Sequence, residues 1–257
     1  MIVASVTQPG SIRESNQDFV LVDAEHRLLV IADGSGSGGG QAAEKTARQI
    51  CKRICEIAPV TSAAENEYRL NEAIDLAFLP ADATTAPVSV ATVWANRGII
   101  VTISRGHCAA VSSAEPGNLL KDSILSGPVQ PGQSWLLCSE GIVNALQSMS
   151  MVTRLLTMPE TPPDADSMQT RLNDFAADNA AIYDGDDRSA ILFILEASDV
   201  KAGEPREIEL FEHCNREFSV PIWVPLAAAA GTTISGAYAL FRLRKHLPLI
   251  MRSLGKK

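Results

Sequence analysis

Apolar and small polar residues alternate over residues 2–7, which predicts a strand. A polar turn covers residues 10–19, and Asp18 opens a second strand, DFVLVDA. That strand turns at residues 24–26 into the run Leu28, Leu29, Val30 and Ile31, which is too short for a helix and suits a strand buried on both faces. The two form a hairpin, so Asp18 at its start and Asp33 at its end are neighbours in space. Gly34, Gly36, Gly38, Gly39 and Gly40 follow. Apolar residues at helical period then predict helices over 41–58 and 65–78, with a loop at 80–87. Three β-rich runs, 88–96, 98–104 and 107–113, are separated by short turns and suggest a meander. Residues 112–133 are polar and contain Gly and Pro, as a long loop does. A buried strand at 135–139 runs into Glu140, Gly141 and a helix, repeating the earlier order of apolar strand, acid, glycine and helix. Glu140 is therefore expected to point where Asp33 points. Helices at 151–158 and 167–182 flank a Pro-rich turn, and Asp184, Asp186 and Asp187 precede a final strand at 189–195.

The glycine-rich turn after Asp33 admits three chemistries. A phosphate-cradling P-loop needs a Lys followed by Ser or Thr at its end, and Gln41 and Ala42 stand there. Asp33, Ser35, Ser37, Gly38 and Glu44 match positions of a calcium-binding EF-hand loop, although a strand enters it and two serines replace carboxylates. The third is a metal-activated water held by Asp33 with acids from other strand ends. Acids gathered before a core strand repel one another unless something positive sits there. Taken singly, Asp18 can cap a turn and the 184–187 acids can form an Asp/Gly turn. Taken with Asp33 and Glu140, they favour one shared metal site, and oxygen-only ligands suit magnesium or manganese rather than zinc.

The bulk numbers narrow the class. A length of 257 residues fits one domain plus an extra segment, or two small domains. A net charge of -8 argues against general nucleic-acid binding. Five cysteines form an odd set, Cys51 and Cys55 stand one helical turn apart, and no CxxC pair occurs. That pattern suits a reducing compartment, with neither a disulfide framework nor a zinc site. The N-terminus shows no signal peptide.

At this point four motifs resemble those of the metal-dependent Ser/Thr protein phosphatases of type 2C, the PPM family. Arg13-Glu14-Ser15-Asn16-Gln17-Asp18 resembles R-x-x-N-E-D, and Ile31-Ala32-Asp33-Gly34 resembles V-A-D-G. Leu137-Cys138-Ser139-Glu140-Gly141 resembles L-x-S-D-G, and Asp186-Asp187-Arg188-Ser189 resembles D-N-x-T. The resemblance covers roughly residues 1–197 and identifies a divergent, bacterial-type member. It implies an α+β fold, a four-layer α-β-β-α sandwich of two antiparallel sheets flanked by helices. It implies two Mn2+ or Mg2+ ions between the sheets, with Asp33 bridging both, the Gly34 carbonyl completing one shell, and Asp18, Glu140 and Asp186 as further ligands. Arg13 would bind the phosphate of a phosphoserine or phosphothreonine, and a metal-bridging hydroxide would attack it in line. The partners implied are a phosphoprotein substrate and a Ser/Thr kinase or its targets.

Four departures modify that expectation. Gln17 replaces an acid before Asp18, and Glu140 replaces an Asp. The family's G-D-S-R run falls on Ser104 to Ala109, which lacks its Asp and puts a third metal in doubt. Ser35 stands where some members have a general-acid His, and His107 is a candidate substitute proton donor or a packed strand residue. These changes keep a second reading open, a phosphatase-fold module that has lost turnover and serves as a regulatory or scaffolding partner. A calcium-binding module at residues 33–44 is the third.

Beyond a linker at 198–218, residues 219–241 form a candidate transmembrane helix, uncharged from Val220 to Phe241 and followed by a basic tail at 242–257. Such a helix spans about 30 Å, enough for a hydrocarbon core. A soluble Ala-rich helix is the plainer reading. Ala227, Gly231, Ser235 and Ala239 recur every four residues, a small-residue stripe suited to a dimer or partner helix. The basic tail favours the cytosolic side, whereas the free cysteines place the preceding domain there. The expectation is a single-pass membrane protein with a cytoplasmic phosphatase-like domain.

Overall fold

A computed structural model describes residues 1–12, 14–57, 62–78, 86–146, 149–157, 163–183 and 185–196. The chain divides into two units, Met1–Glu204 and Pro205–Lys257, and every described residue belongs to the first. Arg13, Asp184, the linker, the candidate span, its small-residue stripe and the basic tail lie outside the described residues. Among the described residues no helix is long and apolar enough to cross a membrane.

Among the described residues, nine strands and five helices follow one another as β1 (Ile2–Gln8), β2 (Asp18–Asp23), β3 (Leu28–Gly34), α1 (Gly39–Cys55), α2 (Ala63–Ala77), β4 (Val88–Asn96), β5 (Ile99–Arg105), β6 (Ala109–Ser112), β7 (Ile124–Pro128), β8 (Ser134–Cys138), α3 (Glu140–Ala145), α4 (Met149–Leu156), α5 (Ala165–Ile182) and β9 (Arg188–Ile194). They build two antiparallel sheets, ordered β1-β9-β8-β6 and β2-β3-β4-β5-β7. The expected sandwich is present.

Side-chain alternation, with its period of two, sorts each strand between layers. In β3, Leu28, Val30 and Ala32 pack against Ile50, Ile54, Leu70 and Ile74 of α1 and α2. Leu29 and Ile31 face the other way, into a core shared with Trp135, Leu137, Ile191 and Phe193 of the opposite sheet. Trp135 and Phe193 stack there at 6.5 Å. The outer face of that second sheet, through Leu136, Cys138, Ala190 and Leu192, meets Ile142, Val152, Leu172 and Phe175 of α3, α4 and α5. Because β3 and β8 are covered on both faces, they read as unbroken apolar runs.

The structure corrects two sequence expectations. The third β-rich run does not extend a meander: β6 leaves β5 and pairs with β8 in the other sheet. The 112–133 segment is not all loop, since β7 lies within it and pairs with β5 along the sheet edge. Both follow from one limit of periodicity, which finds strands but not their partners. The exposed β7, with Ile124 and Leu125 open to solvent, also lacks the burial signal.

Three backbone approaches at the open end of the sandwich exclude any Cβ. At Gly34 it would collide with the Gly39 carbonyl, at Gly141 with the Asp187 carbonyl, and at Gly10 with the Asp186 backbone at 2.5 Å. The approaches at Gly10 and Gly141 each join two segments that carry candidate site residues, and the one at Gly34 closes the loop after Asp33. Gly36 (φ +78) and Gly38 (φ +83) instead meet nothing and serve the left-handed turn into α1. Gly141→Ala is therefore expected to destabilise by roughly 2 kcal/mol in urea unfolding. An unobstructed helical Gly→Ala would gain up to about 1 kcal/mol, so a neutral or stabilising result would disprove the contact.

Candidate metal centre

Asp18 and Asp33 are direct partners in the β2–β3 ladder, so their side chains leave the same face of the sheet. Counting by twos from Ile31 and Val20, which pack in the inter-sheet core, that face looks into the gap between the sheets. The hairpin reading of the sequence thus holds residue for residue.

Asp18 is 8% exposed, and neither of its carboxylate oxygens has a hydrogen-bond partner of good geometry. The nearby Ser139 hydroxyl accepts the Ser189 N–H at 2.9 Å, and the Ser189 hydroxyl donates to Thr7 Oγ1 at 2.8 Å. Burial, then the charge of Asp33, pushes Asp18 up to about 8 from an ordinary 3.8. Asp33 rises to about 6, chiefly by burial. The Glu140 N–H, donating to Asp33 Oδ2 at 3.1 Å, works against that rise, while the charges of Asp186 and Glu140 add to it. A buried carboxylate without partners is costly, and a divalent cation offsets that cost directly. The residues present fit a hard cation.

The opposite sheet supplies the rest. Glu140 opens α3 directly after β8, and its backbone contact with Asp33 spans the two sheets, as the repeated strand–acid–glycine order suggests. The glycine next to Asp33, Gly34, donates its N–H to the Gln17 carbonyl at 3.1 Å. Asp186 is close enough to raise Asp33, and its Oδ1 accepts the Asp187 N–H at 3.0 Å. So Asp18, Asp33, Glu140 and Asp186 converge, with Gly34 adjoining. They are not drawn tight: among the described residues, three acid, His or Cys donor atoms lie within 4.8 Å of one another only at Asp23, His26 and Cys55.

Sequence reasoning grouped Asp187 with the cluster, and the structure gives it a different task. It is 2% exposed, and its two oxygens accept the Gly10 N–H at 2.9 Å and the Gln17 N–H at 2.6 Å. It thereby ties Gly10 and Gln17 to the start of β9. Its position just before a fully buried strand is the sequence signal of this role. Gln17, where the resemblance expects an acid, donates its side-chain amide to the Gly36 carbonyl at 2.9 Å. His107 is 69% exposed at the rim, with Nδ1 3.7 Å from Glu140 Oε1. It is no packed strand residue. Cys108 beside it is buried and raised well above 9.0 by burial, then by Asp33 and Asp18, which keeps it a neutral thiol.

The calcium-loop reading loses its ligands. Glu44 accepts the Arg48 Nε–H at 2.8 Å, the Ser35 hydroxyl donates to the Pro87 carbonyl at 3.5 Å, and Asp33 faces Glu140 rather than the loop.

No family profile matches the chain, and no curated protein matches it. Solved structures share its fold. The PPM Ser-Thr phosphatase MsPP from Mycobacterium smegmatis, in complex with cacodylate, matches with a TM-score of 0.53 at 17% identity, over 75% of this chain and 97% of that one. The Mycobacterium tuberculosis serine/threonine phosphatase PstP/Ppp matches at 0.57 and 14%, over 76% and 100%. The catalytic domain of PstP in complex with 2 manganese ions matches at 0.55 and 13%, over 74% and 96%. The fold of this chain is that of the PPM Ser/Thr phosphatases.

The acid pair gives a pH test. Folded-state values above the unfolded 3.8 mean that the stability contributed by Asp18 and Asp33 is complete below about pH 4 and is lost as pH rises through about 6 and then about 8. In EDTA the melting temperature should fall by roughly 5 °C or more between pH 5 and 8.5. Saturating Mn2+ should flatten the slope, and Asp18→Asn should remove most of it. A melting temperature independent of pH in EDTA would refute the unpaired acid pair.

Proposed function

We propose that this PPM-fold chain dephosphorylates phosphoserine and phosphothreonine in proteins with two Mn2+ or Mg2+ ions held by Asp18, Asp33, Gly34, Glu140 and Asp186. The observation that carries this reading is the buried, partnerless Asp18 carboxylate facing Asp33 across the ladder. Bound there, the ions would supply a water acidified toward neutral pH and positive charge for the phosphoryl oxygens. The matched phosphatases, one holding 2 manganese ions, support the assignment.

The chain's own groups do the rest. Asp33 holds its orientation through the Glu140 N–H, so its carboxylate is fixed before any ligand arrives. Arg13, assigned by its motif, would offer a guanidinium for two phosphate oxygens. The rim position of His107 suits protonation of the departing seryl oxygen, with its Nδ1 3.7 Å from Glu140 Oε1. The exposed loop at Ser35 to Ser37 leaves the approach open for a protein segment rather than a small metabolite. Tethering through residues 220–241, with the domain on the cytoplasmic side and a stripe for a second helix, completes the proposal. A Ser/Thr kinase or its targets would supply the substrate.

Two observations favour a second reading, a regulatory module with impaired turnover. Gln17 uses its amide to brace the glycine loop where an acid is expected, and the carboxylates do not close to a three-ligand group.

Phosphopeptide hydrolysis with Mn2+ separates these. Asp33→Asn should cost at least about a hundredfold in kcat/KM, and activity surviving it would sink the two-metal reading. An inactive wild type that still binds Mn2+ and phosphopeptide would establish the second. His107→Gln should slow phosphoserine hydrolysis roughly a hundredfold yet spare p-nitrophenyl phosphate, whose leaving group needs no proton. Equal losses on both substrates would remove His107 from acid catalysis.

A further inference from the structure

The far end of the β2–β3 hairpin gathers a different set of donors. Asp23 is the last residue of β2, and alternation turns it away from the inter-sheet gap, with Phe19 and Leu21, onto α1. Its Oδ1 accepts the His26 backbone N–H at 3.0 Å, which closes the turn back over the strand end. Its Oδ2 lies 2.9 Å from His26 Nδ1, 3.4 Å from Cys51 Sγ and 3.5 Å from Cys55 Sγ. The two sulfurs, one helical turn apart on α1, are 3.8 Å from each other. One donor atom each from Asp23, His26 and Cys55 lies within 4.8 Å of the others.

The Asp23–sulfur and sulfur–sulfur separations match edges of a tetrahedral metal shell, the 2.9 Å between Asp23 and His26 is a hydrogen bond that an ion would open, and Cys51, outside the 4.8 Å group, would have to swing in as the fourth ligand. With zinc–sulfur bonds of about 2.3 Å and zinc–nitrogen or zinc–oxygen bonds of about 2.0–2.1 Å, ligand-to-ligand edges run from about 3.3 to 3.8 Å. The set contains two thiols, one imidazole and one carboxylate. Soft sulfur donors with imidazole select zinc over the magnesium or manganese suited to the oxygen cluster. The donors sit at the surface, where an ion can reach them, since Cys55 and His26 are exposed or half-exposed and Cys51 partly buried. Asp23 lies five residues along β2 from Asp18, about 17 Å away at the usual strand rise, and on the opposite face. Spacing rules missed the set because they look for paired Cys-x-x-Cys or His-x-x-x-His stretches. Here two ligands come from a hairpin turn and two from a helix that tertiary packing brings alongside.

We propose that Asp23, His26, Cys51 and Cys55 bind one Zn2+ ion, which clasps α1 to the β2–β3 hairpin. Both thiols release their protons on binding and coordinate as thiolates, so two protons leave for each ion bound. The clasp fixes the helix that follows the Asp33 loop onto the strand pair that carries Asp18 and Asp33.

Cobalt substitution tests this on the full-length chain, reduced and stripped of metal. Co2+ should bind one equivalent with a thiolate-to-cobalt charge-transfer band and the intense visible bands of a tetrahedral ion, and Zn2+ should bleach both. Cys55→Ser and His26→Ala, each checked for native circular dichroism, should weaken Zn2+ binding at least tenfold in competition with a chromophoric chelator. Asp33→Asn, in the other acid cluster, should leave the charge-transfer band intact, as should Cys214→Ser. Absence of the band in the wild type, Zn2+ affinity unchanged from wild type in Cys55→Ser and His26→Ala, or loss of the band in Cys214→Ser would each overturn the proposal.

Discussion

Two carboxylates face each other across a hydrogen-bonded strand pair, away from free contact with water, and the arrangement around them follows from that conflict. Their register is fixed by the apolar alternation of β2 and β3, so neither can turn away without moving a core face to solvent. The molecule has two ways to relieve the repulsion: bind protons or bind a cation. The opposite sheet contributes the partial remedy of one backbone N–H from Glu140. It also brings two further acids, which sharpens the demand for positive charge.

That demand is shared between two sheets which meet through packing alone in their interior. The stacked Trp135 and Phe193 and the aliphatic side chains around them set the spacing of the layers. At the open end the sheets are joined by hydrogen bonds instead, the Gln17 N–H to the Asp187 carboxylate and the Glu140 N–H to Asp33, while close backbone approaches at Gly10, Gly34 and Gly141 tighten the loops on either side. An interior close-packed like an organic solid transmits small displacements rather than absorbing them. The geometry of the acids is therefore a property of the inter-sheet core as much as of the residues that bear them.

Much of this was legible in the chain. Asp18 and Asp33 could be placed opposite each other because a hairpin with a short turn leaves one register that keeps both apolar faces buried. The repeated strand–acid–glycine order located Glu140 for the same reason: a fully buried strand must end where its polar residue can leave the core. Partner choice was not legible, and β6 crosses to the second sheet although its sequence resembles β4 and β5 in every local respect. Nor did the chain distinguish Asp186 from Asp187. Adjacent residues point to opposite sides, and only the fold decides that the Gly10 and Gln17 N–H groups wait on one of them. Gln17 was read as a lost charge, whereas the structure shows a gained hydrogen bond to the glycine loop.

The six residues of β2 carry a consequence for how this chain can change its length. An even count places the first and last side chains on opposite faces, so one strand serves the gap between the sheets at one end and the α1 side at the other. Deleting or inserting a single residue within it would reverse that assignment for everything beyond the edit. Either Asp18 would swing toward the helices or Asp23 toward the interior, with Val20 and Leu21 exchanging places. Length changes compatible with both ends must come in pairs along the strand, or be confined to the turn at residues 24–27, where parity no longer matters.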